Sequence, residues 1–457
     1  MRKFIFIALA VLLVLSFTAL AVAEEPQIKL GGRILVRGWY FENVSSDLPQ
    51  DAVSKAVYTT NAYLIVDAKV TDNLQAFMEL ETCNNDTGTS GLYVWGTYNQ
   101  KPDASLQFRQ VWIQYTGSGL LGVPSGLKVG HQLLTLGEKQ FLNLERFGTD
   151  AIVVFVEPTK ELHIAALTAK LAEQSWKWVD ANDDDVVDDD EIFFLTDPGR
   201  QTFADNTDDL DAYVVLGTYK LDKDNTIGLN YTYANMPDVE LQFSNIGLHA
   251  NGMLMGALTY AAEFDLQFGS ILGDADFGGW GVMAKVGYKL DPVNLRASFA
   301  MGSGDDDDDT NIDEFQVVME PSTVSPLARF VHYTQIYERT IRTAADENVL
   351  GFDSGRNTGI ANTTYFNLGL DYMPMKDFSL SLDGFYLQAT ETDAFGPDVD
   401  DALGWEIDFK GSYKITKNLT YFVEAGYFDA GDFYKDTGLV SDPKAVTQIV
   451  HGLNLTF

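Results

Sequence analysis

Lys444 to Phe457 reads KAVTQIVHGLNLTF, and its pattern sets the reading of the whole chain. Counted back from the end, Phe457, Leu455, Leu453, His451 and Ile449 fall on one side of an extended segment. Thr456, Asn454, Gly452, Val450 and Gln448 fall on the other. Successive side chains of a strand point to opposite faces, so an apolar face is backed by a mostly polar one. Such a strand needs an apolar surround on one side only.

The same period of two recurs from Ile28 onward. Ile34, Val36 and Tyr40 oppose Arg33, Leu35, Arg37 and Trp39. Leu64, Val66 and Ala68 oppose Tyr63, Asp67 and Lys69, and Leu295, Ala297 and Phe299 oppose Asn294, Arg296 and Ser298. Leu403, Trp405, Ile407 and Phe409 oppose Glu406, Asp408 and Lys410. Sustained alternation marks an antiparallel sheet with unlike faces.

The connections sort by parity. Short turns are expected at 71–73, 158–160, 221–225, 251–252, 291–293, 373–376 and 415–418, with a longer one over 116–126. Long connections fall at 83–104, 172–210, 303–362, 391–401 and 431–443. Counted from Ile28, the short turns follow even-numbered strands and the long connections follow odd-numbered ones. This predicts an all-β fold: a transmembrane, antiparallel, up-and-down β-barrel of about 18 strands, with 16 as the alternative. An 18-strand barrel is expected to enclose water rather than a packed core.

Residues 1–23 read as a cleaved signal peptide. Arg2 and Lys3 precede an apolar run, and Ala21-Val22-Ala23 offers a small-residue cleavage site. Residues 24–457 read as one barrel domain with long outer loops. The chain holds 31 Lys and Arg against 66 Asp and Glu, a formal net charge of −35. That balance excludes a general nucleic-acid binder. The 29 Phe, 21 Tyr and 7 Trp suit the aromatic girdles of a barrel whose partner is outer-membrane lipid. A single cysteine, Cys83, excludes an intrachain disulfide.

Mixed charge on the inward face predicts a pore lining. The basic members are Arg33, Arg37, Lys69, Lys128, Lys285, Lys289, Arg296 and Lys410; the acidic ones are Asp67, Glu79, Glu81, Glu263, Asp265, Asp371, Asp383, Glu406, Asp408 and Glu424. Charges inside a membrane are tolerated around a wet path, where they set selectivity. The outer loops concentrate acid at Asp180–Glu191 (DANDDDVVDDDE) and Asp305–Asp309. They would enrich cations within a Debye length, about 8 Å at physiological salt. The five histidines stand in no metalloprotease or nucleophile-elbow setting, so no enzyme is expected.

LKVGHQLLTLGEKQFLNLERFG (127–148), LTYAAEFDLQFG (258–269) and MGSGDDDDDTNIDEF (301–315) resemble the alginate-export family of 18-strand outer-membrane proteins. FRQVWIQY (108–115) is similar to homotrimeric 18-strand porins. The resemblance implies a passive channel in the outer membrane of a Gram-negative-type bacterium, and a homotrimer. It extends to Gly130, Gly137 and Glu138. Two positions depart: the family's usual Arg after the first glycine is His131 here, and its Arg after the Gly-acid pair is replaced by Lys139-Gln140. Those arginines help form a basic conduit for an anionic polymer.

The expectation is a porin-like channel for passive diffusion of small hydrophilic solutes or ions, with cation preference. One alternative is an alginate-export-like channel for an anionic polysaccharide. Another is a surface binding or structural barrel whose lumen is plugged, for which loop 303–362 is long enough.

The acidic loop also matches a calcium-binding pattern. Asp180, Asn182, Asp184, Val186 (through its carbonyl), Asp188 and Glu191 occupy the ligand positions of an EF-hand loop. Asp185 stands where such loops place glycine for a sharp turn. A lone extracellular loop of this kind should bind calcium with Kd on the order of 10⁻⁴–10⁻³ M. Titration calorimetry should show that Glu191→Gln abolishes this binding while Asp189→Asn barely changes it. Equal loss in both variants would mean diffuse counter-ion attraction.

Overall fold

A computed structural model describes residues 26–457 apart from 46–47, 84–92, 97–104, 120–121, 173–175, 179–191, 195–208, 274, 307–310, 320–332, 342–358 and 397. Eighteen long strands form a closed antiparallel barrel. The first nine are β1 (Gln27–Glu42), β2 (Lys55–Lys69), β3 (Leu74–Cys83), β4 (Ser105–Ser118), β5 (Pro124–Thr135), β6 (Leu142–Val156), β7 (Leu162–Ala172), β8 (Leu210–Lys220) and β9 (Thr226–Met236). The others are β10 (Leu241–Leu254), β11 (Leu258–Ile271), β12 (Trp280–Leu290), β13 (Val293–Gly302), β14 (Thr363–Met375), β15 (Phe378–Ala389), β16 (Ala402–Lys414), β17 (Leu419–Ala430) and β18 (Val446–Thr456).

Closure joins the first strand to the last. β1 pairs with β18 from Arg33 opposite Thr456 to Glu42 opposite Thr447. The Gly32 amide donates to the Phe457 carbonyl at 2.9 Å, and the Phe457 amide donates back to Gly32 at 3.1 Å. A Cβ on Gly32 would lie 2.6 Å from the Phe457 ring, so glycine lets the terminal aromatic lie against the first strand. Closure leaves no open edge, and that is how a sheet pairs its backbone inside lipid.

Alternation sorts the side chains as the sequence requires. Leu30, Leu64, Ile113, Leu248, Leu368 and Ile407 are exposed on the outside. Asn61, Glu79, Asn245, Asp265, Asn367 and Glu406 point the other way and are buried. Short turns and long connections sit at opposite ends, the short-turn end being the periplasmic one by the convention of such barrels.

Two expectations need correction. The turn expected at Asn251-Gly252 is instead part of β10, where Gly252 pairs with Tyr260. Gly252 serves close approach: a Cβ there would lie 2.2 Å from Asn225 Oδ1. The chain reverses at Met255-Gly256, both at positive φ (53° and 70°), as a tight hairpin turn requires. The second correction concerns the lumen, whose outer half is packed rather than aqueous. The described parts of connection 303–362 fold inward, and Phe315, Val317, Ile336, Ile341 and Ile360 are wholly buried there. Val318-Met319 adds a short parallel ladder onto Leu142-Asn143 of β6. Burying each such apolar side chain contributes about 1.5–3 kcal/mol, which favours the folded-in position.

Candidate functional site

β16 directs Trp405 and Ile407 outward and Glu406 and Asp408 into the barrel. Both acids are buried beneath the inward-folded connection. The Gln335 amide donates to Asp408 Oδ2 at 2.9 Å, and the Ile336 and Tyr337 amides donate to the two oxygens of Glu406 at 2.6 and 2.9 Å. These amides open a single helical turn, α1 (Tyr337–Thr340), and the first amides of a helix have no acceptor within it. The acid pair supplies the missing acceptors. Thr340 Oγ1 adds a hydrogen bond to Gln448 of β18 at 2.9 Å. Tyr333 stacks on Tyr365 with ring centroids 4.6 Å apart and donates its hydroxyl to Gln140. Burial pushes the Tyr333 phenol well above its ordinary pKa.

A second segment enters the lumen from the β5–β6 hairpin. Gly137 (φ 51°) and Lys139 (φ 73°) turn the chain tightly. The Glu138 amide donates to Glu263 Oε2 at 2.5 Å, and Asn251 Nδ2 donates to Glu138 Oε1 at 2.6 Å. Phe141 stacks on Phe243 of β10, with centroids 5.8 Å apart. The two segments also join each other: the Val318 amide donates to the Phe141 carbonyl at 2.8 Å. Gln316 is clasped to the wall by its amide on Gln267 Oε1 and its carbonyl on Gln267 Nε2, each at 2.7 Å.

The residues expected to line a pore fall into three groups. Glu79, Glu81, Glu263, Asp265, Glu406 and Asp408 are buried, none above 7% exposed. A second group is tied into the wall. Arg296 contacts Asp371 and Asp383 at 2.9 Å each, Arg33 reaches Asn454 at 2.8 Å, Arg37 reaches Asn61 at 2.5 Å, and Gln75 reaches Asp67 at 2.7 Å. Lys69 pairs with Asp72 at a periplasmic turn, and Lys289 is exposed near another. The third group is basic and faces open space below the loops. Lys285, Lys410, Arg296 and Asp383 share a cavity of about 360 Å³ under Tyr333. Lys410 also borders an adjacent one of about 360 Å³ with Asp371 and Glu424. Lys128 lies over the Trp112 ring at 4.1 Å.

The loop 180–191 lies outside the described residues. In the other acidic run, Asp305 and Asp306 approach Asp313, with one oxygen of each within 4.8 Å of the others.

The family model described as alginate export matches residues 33–322, more than half of the chain. The chain belongs to the alginate-export family. Among solved structures, this family member is similar to the outer membrane protein OprD of Pseudomonas aeruginosa, at 11% identity and a TM-score of 0.53, covering 96% of each chain. OccK10 of the same organism matches at 12% identity and 0.53, covering 94% of this chain and 99% of that one. OccK5 matches at 12% and 0.51, covering 94% and 98%. At these identities the likeness is one of fold. No curated protein matches. Family and fold together make this an outer-membrane barrel.

Two positions of the alginate-export pattern are informative here. Gly130 has φ 127°, and a Cβ there would lie 2.3 Å from the Val111 carbonyl. His131, in place of the family's arginine, turns away from the lumen to Asp150 at 3.1 Å, on the face that carries Val129 and Ile152.

Sequence reasoning missed Arg109. Strict alternation would put it outside with Val111. A β-bulge intervenes: Glu79 pairs with Gln110 and Leu80 with Phe108, leaving Arg109 as the extra residue. It turns inward to Glu79 at 2.8 Å, to Glu81 at 3.9 Å and to the Glu145 carbonyl at 2.7 Å. The signal was present, because outward Leu106 and Phe108 are followed by outward Val111 and Ile113, a shift of parity. Arg109→Leu should strip Glu79 and Glu81 of their cation and cost about 3–5 kcal/mol. Thermal unfolding in detergent should show a lower midpoint for Arg109→Leu and almost none of that loss for Val111→Leu.

Proposed function

We propose that this protein is a passive outer-membrane channel for small hydrophilic solutes or ions, a transporter and not an enzyme. The observation that carries this reading is the lumen itself. Two cavities of about 360 Å³, bordered by Lys285, Arg296, Asp371, Asp383, Lys410 and Glu424, lie beneath the inward-folded segments. Cavities of this size accept a small polar molecule. Cation preference is proposed to arise at the outer mouth, where the sequence concentrates carboxylates. The packed outer half would then act as the constriction.

A second reading, passage of an anionic solute or polysaccharide, has its own supporting observation. Most lumen carboxylates are engaged by loop amides or by arginine. Lys128, Lys285 and Lys410 have no carboxylate within ion-pair distance among the described residues. An uncompensated basic wall lowers the barrier to anions.

Single-channel recording in planar bilayers should give discrete conductance steps for the purified protein. Its reversal potential in a salt gradient should show cation preference. Anion preference would favour the second reading. Conductance only after removal of 303–362 would make the barrel a plugged surface protein, and no conductance with or without the loop would end the channel proposal.

A further inference from the structure

Glu263 and Asp265 stand side by side on the inward face of β11, 3% and 1% exposed. Their carboxyl groups are hydrogen-bonded to each other. An ionised carboxylate only accepts hydrogen bonds, so a bond between two of them requires a proton on one. Asn245 Nδ2 donates to Asp265 Oδ1 at 2.8 Å. Glu263 Oε1 and Asp265 Oδ2 meet no N–H or hydroxyl donor, so they are the oxygens left for that proton. Neither acid forms an ion pair among the described residues. The pair thus carries one negative charge, because two charges this close in a dry site repel strongly.

This pair holds the β5–β6 hairpin. Glu263 accepts the backbone amides of Glu138, at 2.5 Å, and of Gln140. Gly137 permits the approach: its φ is 51°, and a Cβ there would lie 2.2 Å from Glu263 Oε1. On β12, wholly buried Met283 lies opposite Glu263 and Gly281 lies opposite Asp265, so neither offers a cation to a second charge. The other titratable groups facing the pair are His249 on β10, Lys285 on β12, Glu138 and Lys139 on the hairpin, and Tyr333 and Glu338 on the inward-folded connection.

We infer that Glu263 and Asp265 form a latch worked by a single proton: with the proton the pair pins the hairpin across the lumen, and its loss to water as pH rises releases the hairpin. Without the proton two carboxylates lie at hydrogen-bond distance with no counter-charge, and they must part. Glu263 has the longer side chain and swings away, which leaves the Glu138 and Gln140 amides without their acceptor. Phe141 keeps its stack on Phe243, so the hairpin hinges there. The latch is independent of what the barrel carries; that its release widens a conducting path rests on the channel reading.

The test is pulse-labelling hydrogen exchange of the full-length protein in detergent, read by mass spectrometry on a peptide that spans 136–141. Rates are corrected for the intrinsic pH dependence of exchange. Protection of the wild-type hairpin should hold near neutral pH and then fall by about tenfold per pH unit, the slope of one proton. Asp265→Asn should keep the hairpin protected throughout, because asparagine accepts from Asn245 and donates to Glu263, a permanent copy of the singly charged pair. Glu263→Gln should do likewise, accepting the two amides and donating to Asp265. A peptide from the β14–β15 turn should stay protected over the same range. The inference is overturned by a flat wild-type profile, by variants that follow the wild type, by variants unprotected at every pH, or by a fall that the β14–β15 peptide shares. The second of these would assign the titration to His249, Lys139, Lys285 or Tyr333. Exchange reads the hairpin with or without conductance, so the latch and the channel fail separately.

Discussion

Lipid offers a backbone nothing to bond to, and the rest of this structure follows from that constraint. A sheet can meet it only by closing, and β1 closes on β18 through a continuous ladder. Eighteen strands make a ring too wide for its own inward side chains to fill. The chain fills the outer half with two of its own connections. These bring a new need, because their backbone amides enter a space from which water is being removed. The wall answers with acids. Glu406 and Asp408 take the amides that open α1, and Glu263 takes the amide of Glu138. Both acid pairs have the form Glu-x-Asp, the spacing that puts two side chains on one face of a strand.

That arrangement changes the meaning of inward charge. Glu406 and Asp408 read in sequence as members of a wet lining, because a polar residue at an inward position has no other evident use. In the fold they organise a loop, and the basic groups are left to face open space. Lys285 is the clearest case. It lies over the Tyr333 ring at 5.2 Å, where the inward-folded connection meets the cavity below it.

The barrel was legible because its causes are local or nearly so. Period-two alternation gives the strands, and loop-length parity gives the order and the closed topology. Where local signals competed, the reading slipped. Asn251-Gly252 carries the usual chemistry of a hairpin turn, yet the register set by β9 and β11 extends β10 past it. Arg109 escaped because one extra residue reverses the face of everything before it. The inward folding of 303–362 was open to suspicion from its length alone. Its contacts were not legible, since Ile336 meets Glu406 across 70 positions of sequence. No periodicity reports a contact of that range.

The central claim is that connection 303–362 is seated against the wall inside the barrel. Ile336 packs so closely on Gly426 of β17 that a Cβ on the glycine would lie 3.0 Å from its side chain. Cysteines placed at both positions, with Cys83 replaced by serine, report this directly. Under mild oxidation in intact outer membranes the pair should form an intramolecular disulfide, seen as a reducible mobility shift that either single cysteine lacks. Failure of the folded double variant to crosslink would contradict the account.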